Sequence, residues 1–181
     1  STYSVMTGVA NDNETVLTED DQLTIDGEWN SPYTKTKYLG EINTIKWREK
    51  GINSSVYRVG NLAFMQHNGK VQEDVKDNAF ATYIAFIRKL GCIAENMNEV
   101  EISPTDVTAT AIVKMFDKPE LNNQTHHLFN PNKIKLEKIL STKNHKVSIV
   151  NFTTFIDKLI SYLQHNDDCD LIGRFLLRMG W

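Results

Sequence analysis

Short β-branched runs alternate along this chain with longer segments of helical period, each closed by a glycine, a proline or a capping side chain. Such alternation specifies an α/β layer with parallel strands rather than a sandwich. A helix is expected from Ser31 to Lys50, with Ser31 as cap, Pro32 in the first turn, Leu39, Ile42 and Trp47 recurring on one side, Trp47 as core rather than substrate contact, and Gly51 as the stop. The run Ser54–Val59 reads as a buried strand, followed by a loop holding Gly60, Asn61, Asn68 and Gly69. A second helix starts near Asp77, carries Phe80, Tyr83, Ile84, Ile87 and Leu90 on one stripe, and ends at Gly91.

Further on, a strand is expected around Val100–Ile102. A helix then starts at Ser103-Pro104-Thr105-Asp106, with Ser103 as cap and Pro104 in the first helical position. A strand over His126–Pro131, a helix near Ile134–Leu140 and a strand at Val147–Val150 follow. Helices over Asn151–Leu163 and Asp170–Met179 finish the chain. No internal repeat or low-complexity linker divides it, so residues 1–181 read as one folding unit.

Composition removes several functions. A formal charge of -3, spread without long single-sign runs, lacks the electrostatic footprint of a nucleic-acid-binding protein. Cys92 and Cys169 have no C-x-x-C spacing, which argues against a zinc site or a disulfide framework and for thiols in a reducing cytoplasm. No apolar run nears the roughly 20 residues that cross a bilayer, so a membrane partner is not expected. His126 and His127 alternate across a strand and cannot chelate one metal together, while Asp167, Asp168 and Asp170 lack the glycine turn of a calcium loop. No metal is expected.

Chemistry enters with Ser31-Pro32-Tyr33-Thr34-Lys35-Thr36-Lys37, where Tyr33 stands four residues before Lys37 on the expected helix and shares its face. A phenol is a weak acid, and an ammonium about 4 Å away favours its phenolate by roughly 4 kcal/mol at an effective dielectric near 20. The same lysine can hydrogen-bond a ribose hydroxyl, and a hydroxyl from Thr2 can hold a substrate carbonyl oxygen. Tyrosine and lysine recur at this spacing by chance in unrelated helices, so the pair takes its meaning from its surroundings.

Those surroundings resemble the thioester reductase domains that terminate some nonribosomal peptide synthetases, of the extended short-chain dehydrogenase type. A Ser-Thr pair ending a strand, as Ser1-Thr2 does here, precedes that family's catalytic helix. The helix pattern Y-x-x-(S/T)-K-x-x-(A/G)-E is matched by Tyr33, Thr36, Lys37, Gly40 and Glu41. A Y-R-P-G-N strand is similar to Tyr57-Arg58-Val59-Gly60-Asn61, with Val59 replacing the proline. The stretch from Pro104 to Val113, the segment from His127 to Pro131 and the ending Leu177-Arg178-Met179-Gly180-Trp181 resemble later family motifs. The overall likeness is to the aureusimine-type pyrazinone synthetases.

The resemblance implies NADPH-dependent reduction of a peptidyl or aminoacyl thioester, borne on the phosphopantetheine arm of a carrier domain, to an aldehyde. It makes Thr2, Tyr33 and Lys37 catalytic, with Val59 and Gly60 beside the nicotinamide and Asn61 on the substrate side. Tyr83, on an aromatic stripe, either lines an acyl channel or packs in the core. Approximately residues 1–60 would finish a Rossmann-like, doubly wound parallel sheet, and 61–181 would form the smaller, mainly helical substrate-binding part. The family's G-x-x-G-x-x-G turn is not found among the nine glycines, so the nucleotide-binding half is expected upstream and the chain alone is expected to be inactive. A sugar-nucleotide epimerase or dehydratase, resting on Arg88 and Lys89, and a non-catalytic docking piece are the alternatives.

Overall fold

Gly91 shows how the chain punctuates itself: it adopts φ 71°, and its N–H returns to the Ile87 carbonyl, ending a helix at the residue expected to end it. The computed structural model describes residues 1–9, 17–21, 32–71, 73, 78–166 and 172–175. In chain order these form α1 (Pro32–Glu49), β1 (Val56–Val59), α2 (Ala79–Leu90), β2 (Cys92–Ala94), β3 (Glu99–Val100), α3 (Thr105–Phe116), β4 (Thr125–Leu128), β5 (Ile134–Lys135), α4 (Leu136–Leu140), β6 (Ser148–Val150) and α5 (Phe152–His165). Residues 172–175 are helical. Two compact units result, 1–69 with 103–130 and 70–102 with 131–181, so the chain passes between them more than once.

The first unit is built on the parallel pair β1–β4, in register from Val56 opposite Thr125 to Val59 opposite Leu128. Thr2 adds a parallel bridge to Val59, which lays a third row beside the pair. Val5 and Val56 are buried here together with Glu41, Arg58, Ser103, Thr108 and His126, an interior with a large polar share. Ser103 does not cap α3. Its N–H donates to Asn61 O at 3.0 Å and its hydroxyl accepts from Asn130 N at 3.2 Å, so the extended backbone runs through Ser103 and Pro104 becomes the cap.

The second unit holds the parallel pair β2–β6 and the antiparallel pair β3–β5; the latter departs from the all-parallel expectation. Its core is aromatic. Phe86 and Phe175 have ring centroids 4.3 Å apart, Tyr83 stacks on Phe175 at 5.8 Å, and Tyr162 meets Phe86 edge-on at 5.5 Å. Full burial of side chains such as Phe86, Phe155 and Phe175 stabilises by about 1.5–3 kcal/mol each. Asn78 caps α2 by accepting from Ala81 N, and Asn151 caps α5 by accepting from Thr154 N. Cys92 is buried and burial pushes its thiol up, as in an inert packing residue. The expected roles of Ser31, Asp167, Asp168, Cys169, Asp170 and the ending Leu177–Trp181 lie outside the described residues.

Candidate active site

Helix α1 positions the first two candidates. Tyr33 and Lys37 lie one turn apart, and Lys37 Nζ stands 5.5 Å from the centroid of the Tyr33 ring. Tyr33 as a whole is 58% exposed. Thr36 is exposed, and its hydroxyl donates back to Tyr33 O at 2.8 Å.

Of the apolar stripe this helix's sequence suggests, Ile42 is half-buried. Leu39 is 48% and Trp47 52% exposed, and Lys50 Nζ lies 4.5 Å above the Trp47 ring, which corrects the expectation that Trp47 is core. Glu41 is the buried residue of α1. Arg58, on β1, donates to both of its carboxylate oxygens, with Nη2 to Oε2 at 2.9 Å and Nε to Oε2 at 3.1 Å and Oε1 at 3.3 Å. Their side chains are 4% and 3% exposed. Ser1 Oγ donates to Glu41 Oε1, and Arg58 Nη1 lies 3.0 Å from His127 Nε2 on β4.

In the sequence Glu41 closes the helix motif that begins at Tyr33, with no role attached to it. A sufficient signal was present: Arg58 sits inside a run read as a buried strand, and a buried guanidinium needs a counter-charge.

The remaining candidates gather where β1 ends. Val59 N donates to Ser1 O at 3.4 Å, and Gly60, buried, donates to Leu128 O at 3.1 Å, so the strand end is held from both sides. Thr2 sits opposite Val59; its hydroxyl accepts from Ser4 N at 3.4 Å and lies 3.1 Å from Ser4 Oγ. Asn61 Nδ2 donates to the Tyr3 hydroxyl at 3.2 Å, and Tyr3 packs on Phe129 with centroids 5.8 Å apart. Thr2, Tyr33, Lys37, Val59, Gly60 and Asn61 thus all belong to the first unit. Tyr83 belongs to the second, where it is 5% exposed and its hydroxyl donates to Met97 O at 3.4 Å. Of its two readings, packing is the one this placement favours.

The other conspicuous residues have structural surroundings. His126 is buried, stacks on Tyr57 at 5.3 Å and has Nε2 2.9 Å from Leu121 O, whereas His127 meets Arg58. Arg88 and Lys89 occupy the last turn of α2, where basic residues offset the helix dipole. Among the described residues no group of His, Cys, Asp and Glu could hold a metal, and no helix is long and apolar enough to cross a membrane.

Comparison with known proteins gives this arrangement a family. A NAD-binding family described as male sterility protein matches residues 1–112, more than half of the chain and the span that contains the six first-unit candidates with Glu41 and Arg58. The chain belongs to that family.

A linear gramicidin synthase from Brevibacillus parabrevis is similar to it, 26% identical over 116 residues, 64% of this chain and 2% of the synthase chain. Among solved structures, the terminal R domain of the myxalamid PKS-NRPS pathway matches in fold, with TM-score 0.80 and 18% identity over 100% of this chain and 45% of that one. The reductase domain of the aureusimine biosynthetic cluster matches with TM-score 0.74 and 29% identity, covering 96% and 46%. A thiolation-reductase di-domain from an archaeal nonribosomal peptide synthetase gives TM-score 0.72 and 26% identity, covering 95% and 36%. This member of the male sterility protein family therefore shares the Rossmann-like α/β fold of terminal reductase domains and spans less than half the length of each solved relative.

The residues present suit the nicotinamide-ribose end of such a nucleotide. An ammonium with three donors and an exposed phenol, one helical turn apart, are the donor set that ribose hydroxyls accept from and donate to.

Proposed function

We propose that this chain carries the catalytic helix of an NADPH-dependent reductase that releases a carrier-bound peptidyl or aminoacyl thioester as an aldehyde. The observation that carries the reading is the Tyr33–Lys37 pair on a helix tied by Glu41 and Arg58 to the strand whose end presents Val59 and Gly60 beside Thr2. Likeness to the aureusimine reductase domain and to the thiolation-reductase di-domain supports the substrate class.

NADPH, when bound, supplies two electrons and a hydrogen to the thioester carbon. In the proposed reaction the Thr2 and Tyr33 hydroxyls receive the negative charge that develops on the carbonyl oxygen. Tyr33 then gives its proton to that oxygen, and Lys37 stabilises the phenolate left behind while holding a ribose hydroxyl. Breaking the carbon–sulfur bond moves the hydroxyl proton to the departing sulfur, which yields the aldehyde and returns the pantetheine thiol, and a solvent proton restores Tyr33. The thioester is reduced by two electrons and the dinucleotide oxidised by two. Val59 and Gly60 border the nicotinamide in this reading, and Asn61, anchored to the Tyr3 hydroxyl, faces the substrate. All of these groups act within one reductase domain, and its partner is a phosphopantetheinyl carrier domain in the cytoplasm. Consumption of NADPH on an aminoacyl pantetheine thioester, with aldehyde and thiol formed in equal amounts, tests the reaction; epimerisation or dehydration of a sugar nucleotide with no net consumption of the dinucleotide would instead move the assignment to the epimerase and dehydratase branch.

A further inference from the structure

A proton donor on a helix is only as well placed as the helix. On α1, Leu39 and Trp47 are about half exposed, Ile42 and Ile45 are half-buried, Arg48 donates to Ser54 O and Gln124 O near the helix end, and the one buried residue is a glutamate. Its buried attachment is ionic. Both oxygens of Glu41 are occupied by the rigid fork of Arg58, a geometry that fixes separation and rotation together, whereas apolar side chains in contact can slide.

The position of this attachment matters. Glu41 stands one turn beyond Lys37 and two beyond Tyr33, so the three lie along one side of α1. Arg58 is two residues before Gly60 on β1. Ser1, next to Thr2, donates to the same carboxylate, and His127 on β4 abuts the remaining arm of the guanidinium. One network, buried at Glu41 and Arg58, therefore joins the elements that carry the first-unit candidates: the Ser1–Thr2 segment, α1, and the end of β1 with its neighbour β4.

We propose that Glu41, clamped by Arg58, is a positioning residue that sets Tyr33 and Lys37 against Thr2 and the Val59–Gly60 strand end. The proposal rests on the reductase reading and adds to it a residue that touches neither substrate nor nucleotide. A donor displaced by ~1 Å can lose ~100-fold in rate, so a small shift of α1 is enough to be read kinetically.

The experiment uses the protein at its full natural length and compares Glu41→Gln, Arg58→Lys, Tyr33→Phe and the double variant Glu41→Gln with Tyr33→Phe. NADPH oxidation on an aminoacyl pantetheine thioester is measured well below each melting midpoint. Glu41→Gln is expected to lower kcat by roughly 10- to 100-fold with KM for the thioester moved less than ~3-fold. In the Tyr33→Phe background the same change should cost less than ~3-fold, because no proton donor remains to be misplaced. Arg58→Lys keeps the charge but loses the fork, and should follow Glu41→Gln. Unchanged kcat, a full multiplicative loss in the double variant, or failure of both Glu41→Gln and Arg58→Lys to fold makes the pair merely structural and overturns the proposal. Tyr33→Phe at the wild-type rate sinks the reductase reading itself and this proposal with it.

Discussion

Arg58 Nη1 lies 3.0 Å from His127 Nε2, and the two residues are register partners across the parallel β1–β4 pair. A guanidinium has donors only, so the imidazole nitrogen that faces it accepts, and His127 must be neutral there. Burial first, and then the Arg58 charge, hold its titration below the ordinary histidine range, against the opposing pull of Glu19, Glu41 and Asp21.

That placement has a pH signature. A histidine whose folded pKa is depressed contributes stability that is fully present above the unfolded value of about 6.5, and loses it as pH falls from there toward the folded value. Wild-type protein should thus lose denaturant resistance as pH falls below about 6.5, and His127→Gln should lose less over the same range. Equal losses in urea titrations of the two proteins would contradict the neutral, Arg58-facing histidine.

Glu41 and Arg58 should separate the cost of breaking a buried pair from the worth of having it. Either single change, Glu41→Leu or Arg58→Met, leaves one charge buried at 3–4% exposure and should destabilise by about 3–5 kcal/mol. The double replacement should recover most of that loss. Calorimetry or chemical denaturation of the four proteins gives the coupling, and additive losses would show that the two side chains act independently.

Asp106 ties the loop after β1 to the start of α3. Its carboxylate accepts from Gln66 N at 2.8 Å, His67 N at 3.3 Å and Val107 N at 3.0 Å, and stands 2.8 Å from His67 Nδ1. The Gln66 amide and then the His67 ring hold it well below the usual carboxylate range. A depressed carboxylate contributes stability above its unfolded pKa of about 3.9 and loses it as pH falls through the folded value. Asp106→Asn should therefore lower Tm by a few degrees at neutral pH, and the gap to wild type should close as the solution is acidified below that value. A gap that persists in acid would mean the aspartate charge contributes nothing.

Much of the secondary structure was legible because the chain marks it with side chains. Pro32 begins α1, Gly91 adopts the left-handed conformation that closes α2, and Asn151 caps α5. β2 was missed because Cys92–Ala94 is three residues long, wholly buried and directly follows Gly91, leaving neither alternation nor a flanking turn to detect. Trp47 was misread because periodicity identifies an apolar stripe but not what covers it, and the inward side of α1 is taken by Glu41. Ser103 failed as a cap for a related reason: its hydroxyl already serves Asn130, a residue 27 positions away. Within the site, the Tyr33–Lys37 spacing announced itself, whereas the Glu41–Arg58 link joins residues 17 apart and needed the fold to bring them together.

The central claim is that Tyr33 is the proton donor of a reductase, and the direct test is NADPH oxidation with an aminoacyl pantetheine thioester by wild type and Tyr33→Phe, at full natural length. Loss of a general acid should slow turnover by roughly 10²- to 10⁴-fold while circular dichroism and melting stay as in wild type, because Tyr33 is 58% exposed. A Tyr33→Phe protein that turns over at the wild-type rate, or a wild-type protein that leaves thioesters untouched, would contradict the account.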